Sequence, residues 1–261
     1  MRDSRELVEK AALLRSLHVP GRPVVLPNAW DATSAQVFAE AGFAAIATSS
    51  GAIANSLGYE DGEYLPRDDM FAAIERVTRA VQIPATADVE RGYRLPADEL
   101  IARLLDAGAV GCNLEDSDPQ TGQLADCGEQ AAWLVAVRAA ADAAGVSIVL
   151  NARVDVHFRA LGEPGERLAE AVRRARQYRQ AGADCVYPLG LADPADIDRF
   201  VSAVDAPVNI AFRPQGPSFG QLASLGVARV TFGPGLHLAA RSWLTSLAAG
   251  LIEGKDPYSL S

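Results

Sequence analysis

Short apolar runs alternate with longer segments whose apolar positions recur every three or four residues, and the alternation continues along the chain. Four of the runs share an entry phrase. "AGFAAIATSS" (41–50), "AGAVGCNLED" (107–116), "AGADCVYPLG" (181–190) and "LGVARVTFGP" (225–234) each place a glycine after a helical pattern and before a β-type run. Glycine there closes a helix in the left-handed region, and the run that follows reads as a strand. Four further runs lie among them, "RPVVLPNA", "IPATADVE", "VSIVLNARVD" and "APVNIAFR", which makes eight strands.

The segments between carry helical periodicity, and they predict helices over 68–81, 97–107, 129–144 and 165–181. "SRELVEKAALLRSLH" predicts an extra helix before the first strand, and "GLHLAARSWLTSLAAGLIEG" the last one. Strands and helices in alternation, with no linker or low-complexity tract, predict an α/β fold: one (β/α)₈ barrel over 1–261. A doubly wound sheet is the alternative, and it would leave strands over.

Composition narrows the partners. A net charge of -9 with 22% charged residues argues against nucleic acid. An acidic protein can still take an acidic small molecule if a cation or an arginine mediates. No apolar stretch is long enough to span a membrane and "MRDSRELVEK" is not a secretory signal, which predicts a cytoplasmic protein without a membrane partner. The three cysteines, Cys112, Cys127 and Cys185, lack metal-type spacing and read as reduced thiols.

In a barrel of this kind, polar residues at the C-terminal ends of strands carry the chemistry. The second strand ends in Thr48, Ser49, Ser50 and Gly51, and the third in Asp88 and Glu90. The fourth ends in Asn113, Glu115 and Asp116, the fifth in Asn151, Arg153 and Asp155. Side chains alternate along a strand, so Asp88 shares a face with Glu90, Asn113 with Glu115, and Asn151 with Arg153. Carboxylates from neighbouring strands repel unless a proton, an arginine or a cation intervenes. Oxygen ligands without a histidine cluster favour a hard ion, Mg²⁺ or Mn²⁺. The structural alternative is that these acids cap helices and form rim ion pairs, a role that suits Asp116.

Absences matter too. The only lysines, Lys10 and Lys255, lie in terminal segments, which excludes a strand-borne Schiff base. His18, His157 and His237 form no zinc spacing, although His157 lies just beyond the fifth strand. Cys127 follows Asp126 in "DCGE", a capping-box spacing that puts the thiol in a helix's first turn, with no base visible beside it. "FGPGL" (232–236) lies where many barrels hold phosphate, and turn chemistry accounts for its glycines equally well.

The motifs "LPNAWDATSAQVFAEAGF", "TSSGAIANSLGYEDGE", "TADVERGY", "GCNLED" and "NARVD" together resemble the isocitrate lyase and phosphoenolpyruvate mutase superfamily over nearly the whole chain. The resemblance implies a Mg²⁺-dependent barrel that binds a 2-oxo acid and works through an enolpyruvate-like oxyanion. It also implies a homotetramer of dimers that swap the last barrel helix, about 235–250 here. By matching position it gives Ser50, Gly51, Ala52 and Asn209 to the substrate. Asp61, Asp88, Glu90 and Glu115 fall to the metal shell, some through water. Arg153 goes to the substrate's carboxylate or phosphonate, and Arg153, Asp61 and Glu115 are the implied catalytic residues.

The chain departs from the pattern in "EDSDPQTGQLADCGE" (115–129), where lyases of the superfamily carry Lys-Lys-Cys-Gly or Lys-Arg-Cys-Gly and mutases a lysine and an asparagine. Cys127 has no basic neighbours, and Gln120 and Gly122 stand where the mutases differ. Glu90 replaces the mutases' second aspartate. These departures argue against isocitrate cleavage and mutase activity alike. They leave a lyase or decarboxylase of a small 2-oxo or 2-hydroxy dicarboxylic acid as the leading expectation. Phosphonopyruvate hydrolysis or (carboxy)phosphonoenolpyruvate mutation is the alternative, and a non-catalytic barrel that binds a 2-oxo acid is the third. Specificity is expected from the loop Ser117 to Cys127, able to move and close over the ligand.

Overall fold

The structure, a computed structural model, describes residues 3–259. Nine short strands build eight staves because the first stave is split into β1 (Val24–Val25) and β2 (Asn28–Ala29). Pro27 causes the split, since it has no N–H for the ladder. Its carbonyl still accepts from Ala47 N at 3.0 Å while Leu26 N reaches back to Val230 O at 2.9 Å, so one stave pairs on both sides. The others follow in chain order: β3 (Ile46–Thr48), β4 (Ala85–Asp88), β5 (Gly111–Glu115), β6 (Val149–Val154), β7 (Cys185–Pro188), β8 (Asn209–Ala211) and β9 (Arg229–Thr231).

All ladders are parallel, in the orders β2-β3-β4-β5-β6-β7 and β1-β9-β8. The Val186↔Val208 bridge joins β7 to β8 and closes the ring. This is the predicted eight-stave barrel. Parallel staves are covered by helices outside and packed side chains inside, which is why each reads as an unbroken apolar run.

The predicted helices stand as α4 (Arg67–Arg79), α5 (Ala97–Asp106), α6 (Cys127–Ala143) and α7 (Arg167–Gln180). The extra helix α1 (Ser4–Ser16) buries Leu7, Ala11 and Leu14. Leu14 touches the barrel interior: a Cβ on Gly111 would lie 3.0 Å from Leu14 Cδ2 and 2.9 Å from both Thr86 Oγ1 and Val149 O. Gly111→Ala is therefore expected to destabilise the protein by about 1–3 kcal/mol. Urea unfolding should show a lower midpoint at unchanged slope.

Two features differ from the sequence reading or extend it. The second stave stops at Thr48, and Ser50, Gly51 and Ala52 form the first turn of a short helix, α3 (Ser50–Ser56), capped by Ser49 Oγ on Ala52 N at 3.3 Å. At the other end, α10 (Gly235–Ile252) buries none of its residues and exposes Leu238, Trp243, Leu244, Leu251 and Ile252. Among the described residues no helix is long and apolar enough to cross a membrane.

Candidate active site

Register decides what the strand ends bring together. Asp88 is paired with Asn113 and Asn113 with Asn151, forming one inward row; Glu115 is paired with Arg153 in the row above. In the lower row Asn151 Nδ2 donates to Asn113 Oδ1 at 2.8 Å, and the wholly buried Arg229 donates to the same oxygen at 3.3 Å. The barrel interior below the mouth is thus polar.

Asp88 is buried at the end of β4. Its Oδ2 accepts from the backbone N and the hydroxyl of Ser50, at 3.2 and 3.1 Å. Its Oδ1 is buried with no partner. Asp61 comes close because Gly51 makes room: a Cβ on Gly51 would sit 2.9 Å from Asp61 Oδ2. Desolvation, and after it the charge of Asp88, pushes the Asp61 carboxyl up, although the side chain keeps a solvent-exposed edge.

Glu90 is buried and sits in the left-handed region at φ 52°, which is strained for a residue with a side chain. A clasp holds it there. Glu90 Oε1 accepts from Glu63 N at 2.9 Å and from the Tyr93 hydroxyl at 3.2 Å, while Glu63 Oε1 accepts from Tyr93 N at 2.8 Å. Burial, with the charges of Asp61, Asp88 and Glu63 adding, lifts the Glu90 carboxyl to about 8. The folded state therefore binds a proton that the unfolded chain releases near pH 4.5. Metal-free stability then falls as pH rises through that window and levels off above about 8. Glu90→Gln should accordingly raise the thermal midpoint of metal-free protein at pH 8.5 and leave it nearly unchanged at pH 4.

Arg153 is held by two acids. Its Nη1 pairs with Glu115 Oε2, its Nε donates to Asp155 Oδ1 at 2.6 Å and its Nη2 to Asp155 Oδ2 at 3.0 Å. The Phe158 ring covers the guanidinium at 5.2 Å. Burial pushes the Glu115 carboxyl up against the pull of Arg153; the two carboxylates in turn hold Arg153 firmly protonated despite its burial. Asp116, by contrast, spends both oxygens on structure, accepting from Asp155 N, Arg174 and Tyr178.

Above these groups opens a cavity of about 320 Å³. Ser49, Ser50, Asp61, Asp88, Asn113 and Arg153 line it, with Phe158 over Arg153 on the same wall and Phe212 and Phe232, beyond β8 and β9, across the ring. Glu90 and Glu115 stand behind this wall, and Asn209 is wholly buried with its Oδ1 accepting from Thr231 at 3.2 Å.

Comparison with known proteins decides the family. The sequence pattern of the phosphoenolpyruvate phosphomutase family matches residues 14–252. The chain belongs to this family. Within it, a crystal structure from Burkholderia cenocepacia J2315, assigned provisionally as a phosphonomutase, shares 45% identity at a TM-score of 0.89, covering 92% of this chain and 99% of that one. The 2-methylisocitrate lyase of Escherichia coli is 30% identical over 74% of this chain and 70% of its own. A phosphonopyruvate hydrolase crystallised with oxalate and Mg²⁺ is 26% identical at a TM-score of 0.81, covering 94% and 88%. The phosphoenolpyruvate phosphomutase family thus lies in the isocitrate lyase and phosphoenolpyruvate mutase superfamily, whose lyases, mutases and hydrolases are enzymes.

As a metal site, the mouth of this phosphoenolpyruvate phosphomutase family member is open. Among the described residues no three His, Cys, Asp or Glu side chains converge tightly enough to hold an ion by themselves. What fits an ion is the donor chemistry: the unpartnered Asp88 Oδ1, with Asp61, Glu90 and Glu115 all feeling the Asp88 charge. A hard ion that keeps several waters needs only one or two direct carboxylates.

The segment 117–127 is bridged at Ser117↔Leu124 and turned by Asp118 Oδ1, which accepts from Gln120 N and Thr121 N. Gln120 and Gly122 do not line the cavity. Nor does Cys127, a buried thiol that donates to Gln177 Oε1 at 3.0 Å; it starts α6, with Asp126 capping Gly128 N and Glu129 N. His157 also lies outside the cavity wall. Of the "FGPGL" stretch, Phe232, Gly233, Pro234 and Gly235 line it.

Reading strand ends overlooked several wall residues, Asn28, Arg213 and Phe158 among them. Asn28 anchors two staves, donating to Thr48 O and accepting from Phe232 N, both at 2.7 Å. It ends the first apolar run, so the strand-end rule would have found it had the count begun one strand earlier. Arg213 ends "APVNIAFR" and carried the same signal. Phe158 gave none, because a phenylalanine beyond a strand looks like any loop aromatic.

Proposed function

We propose that this chain is a Mg²⁺-dependent lyase or decarboxylase of small 2-oxo or 2-hydroxy dicarboxylic acids, working through an enolpyruvate-like oxyanion. The observation that carries this reading is the partner-free Asp88 Oδ1, buried where carboxylates outnumber the one guanidinium that touches them. Asp88 would hold the ion directly and Asp61, Glu90 and Glu115 through water; Mn²⁺ suits the same oxygens. When bound, the ion supplies Lewis-acid polarisation of the 2-oxo oxygen.

The chain's own residues do the rest. Ser50, Gly51 and Ala52 form the first turn of α3 beside the substrate's carboxylate and oxo oxygen; with Ser50 N on Asp88 Oδ2 and Ala52 N on Ser49 Oγ, the Gly51 N–H is the donor left to them. Asn209, wholly buried, would act on the substrate through Thr231, which it holds at the cavity wall. Arg153, immobilised by Glu115 and Asp155, turns its remaining N–H groups toward the departing carboxylate. Asp61, at the solvent edge of the cavity, is placed to pass a proton to the enolate carbon, and desolvation with the Asp88 charge favours its protonated form.

A screen for pyruvate release from oxaloacetate and substituted malates, with and without Mg²⁺, tests the reading. Turnover that ignores Mg²⁺, or that survives Glu115→Ala unchanged, sinks it. A second reading, cleavage of a phosphorus–carbon bond, draws on the 45% likeness to the structure assigned as a phosphonomutase. ³¹P NMR of phosphonopyruvate with the protein decides it, and an unaltered spectrum removes it. We also propose a dimer of helix-swapped dimers, supported by α10: a helix that exposes Trp243, Leu244 and Leu251 and buries nothing of its own suits a second copy.

A further inference from the structure

The guanidinium assigned to the leaving anion is already engaged. Arg153 faces two buried carboxylates, so its charge is more than balanced before any ligand arrives. A substrate with two negative groups meets Asp61 and Asp88 in the same cavity. Repulsion from these acids calls for a second cation beside Arg153 at the far end of the ligand.

Among the described residues one other cation lines the cavity. Arg213 lies just past β8, on the side of the phenylalanine wall. Among the described residues no hydrogen bond, ion pair or ring contact engages its guanidinium. Its backbone, by contrast, is fixed. Phe212 N donates to Thr231 O at 2.7 Å, Gly216 N to Arg213 O at 3.1 Å, and the Phe212 ring stacks on Phe219 at 4.6 Å and meets Phe232 at 5.7 Å. An exposed charged side chain on a braced loop at the cavity wall, without a protein partner, is a prepared anion contact.

Resting on the reading of this cavity as the substrate site, we propose that Arg213 binds the distal anionic group of the substrate and sets the preference for dianionic over monoanionic 2-oxo acids. The shared chemistry is a carboxylate or a phosphonate at C3. Oxaloacetate, phosphonopyruvate and 2-oxobutyrate carry the same 2-oxo acid head, and only the first two carry the distal charge.

The test measures the dissociation constant of each acid in Mg²⁺ by calorimetry, or KM where an acid is turned over. Wild type should favour at least one dianion over 2-oxobutyrate by about tenfold or more. Arg213→Gln should erase that preference while leaving 2-oxobutyrate binding unchanged, and Arg213→Lys should restore part of it. Whichever dianion loses affinity identifies the distal group. Equal weakening of all three acids, unchanged affinities in Arg213→Gln, or no binding by any of the three overturns the proposal. If the acids bind with the expected discrimination and none is turned over, Arg213 stands and the proposed reaction falls.

Discussion

Arg153→Met is expected to lose both turnover and stability. The substitution keeps the volume but leaves Glu115 and Asp155 as uncompensated charges, 3% and 0% exposed on their side chains. Breaking a buried pair from one side costs about 3–5 kcal/mol. For a chain of this length that corresponds to a fall of about 10 °C in the thermal midpoint. Burial already pushes the Glu115 carboxyl up and the guanidinium no longer opposes it, so the deficit should shrink as pH falls and a proton replaces the lost charge. Loss of a group that acts on charge developing in the transition state should lower kcat/KM by about 10³-fold. The double variant Arg153→Met with Glu115→Gln should be more stable than Arg153→Met alone. A midpoint equal to wild type at neutral pH would show that the pair is not the buried, fully engaged unit described above.

Asp88→Asn should separate function from stability in the opposite direction. Asparagine keeps the shape and the Oδ1-type acceptor for Ser50, and it removes one charge from a cluster in which Asp61, Glu90 and Glu115 all feel Asp88. The metal-free midpoint should therefore stay equal to wild type or rise. Mg²⁺ at a hundredfold excess over its dissociation constant should stabilise wild type by about 2.7 kcal/mol and the variant hardly at all. Turnover in Mg²⁺ should fall by about 10³-fold. A variant that keeps the Mg²⁺-dependent thermal shift would remove Asp88 from the metal site.

Much of this was legible one residue at a time. The eight staves could be counted because each is a short apolar run between helical segments, four of them preceded by a glycine that ends a helix. Asp88 and Glu115 stood out because a carboxylate at the end of such a run has to be explained by chemistry. The short helix α3 escaped notice, since seven residues are too few for a periodic signal. The clasp of Glu63 and Tyr93 on Glu90 was equally hidden. It joins two loops far apart in the chain, and its backbone donors look the same at every position.

The amino-acid sequence alone determined the barrel, the order of its staves and which faces the acids occupy, because alternation within a strand and glycine at helix ends are local rules. Tertiary structure decided how those acids divide the work. Parallel register set Glu115 beside Arg153, ring closure put Arg213 across from Asp88, and burial left one oxygen of Asp88 without a partner. None of these follows from a residue and its neighbours in the chain. Each depends on which surfaces lose water together, and that is settled only when the ring closes.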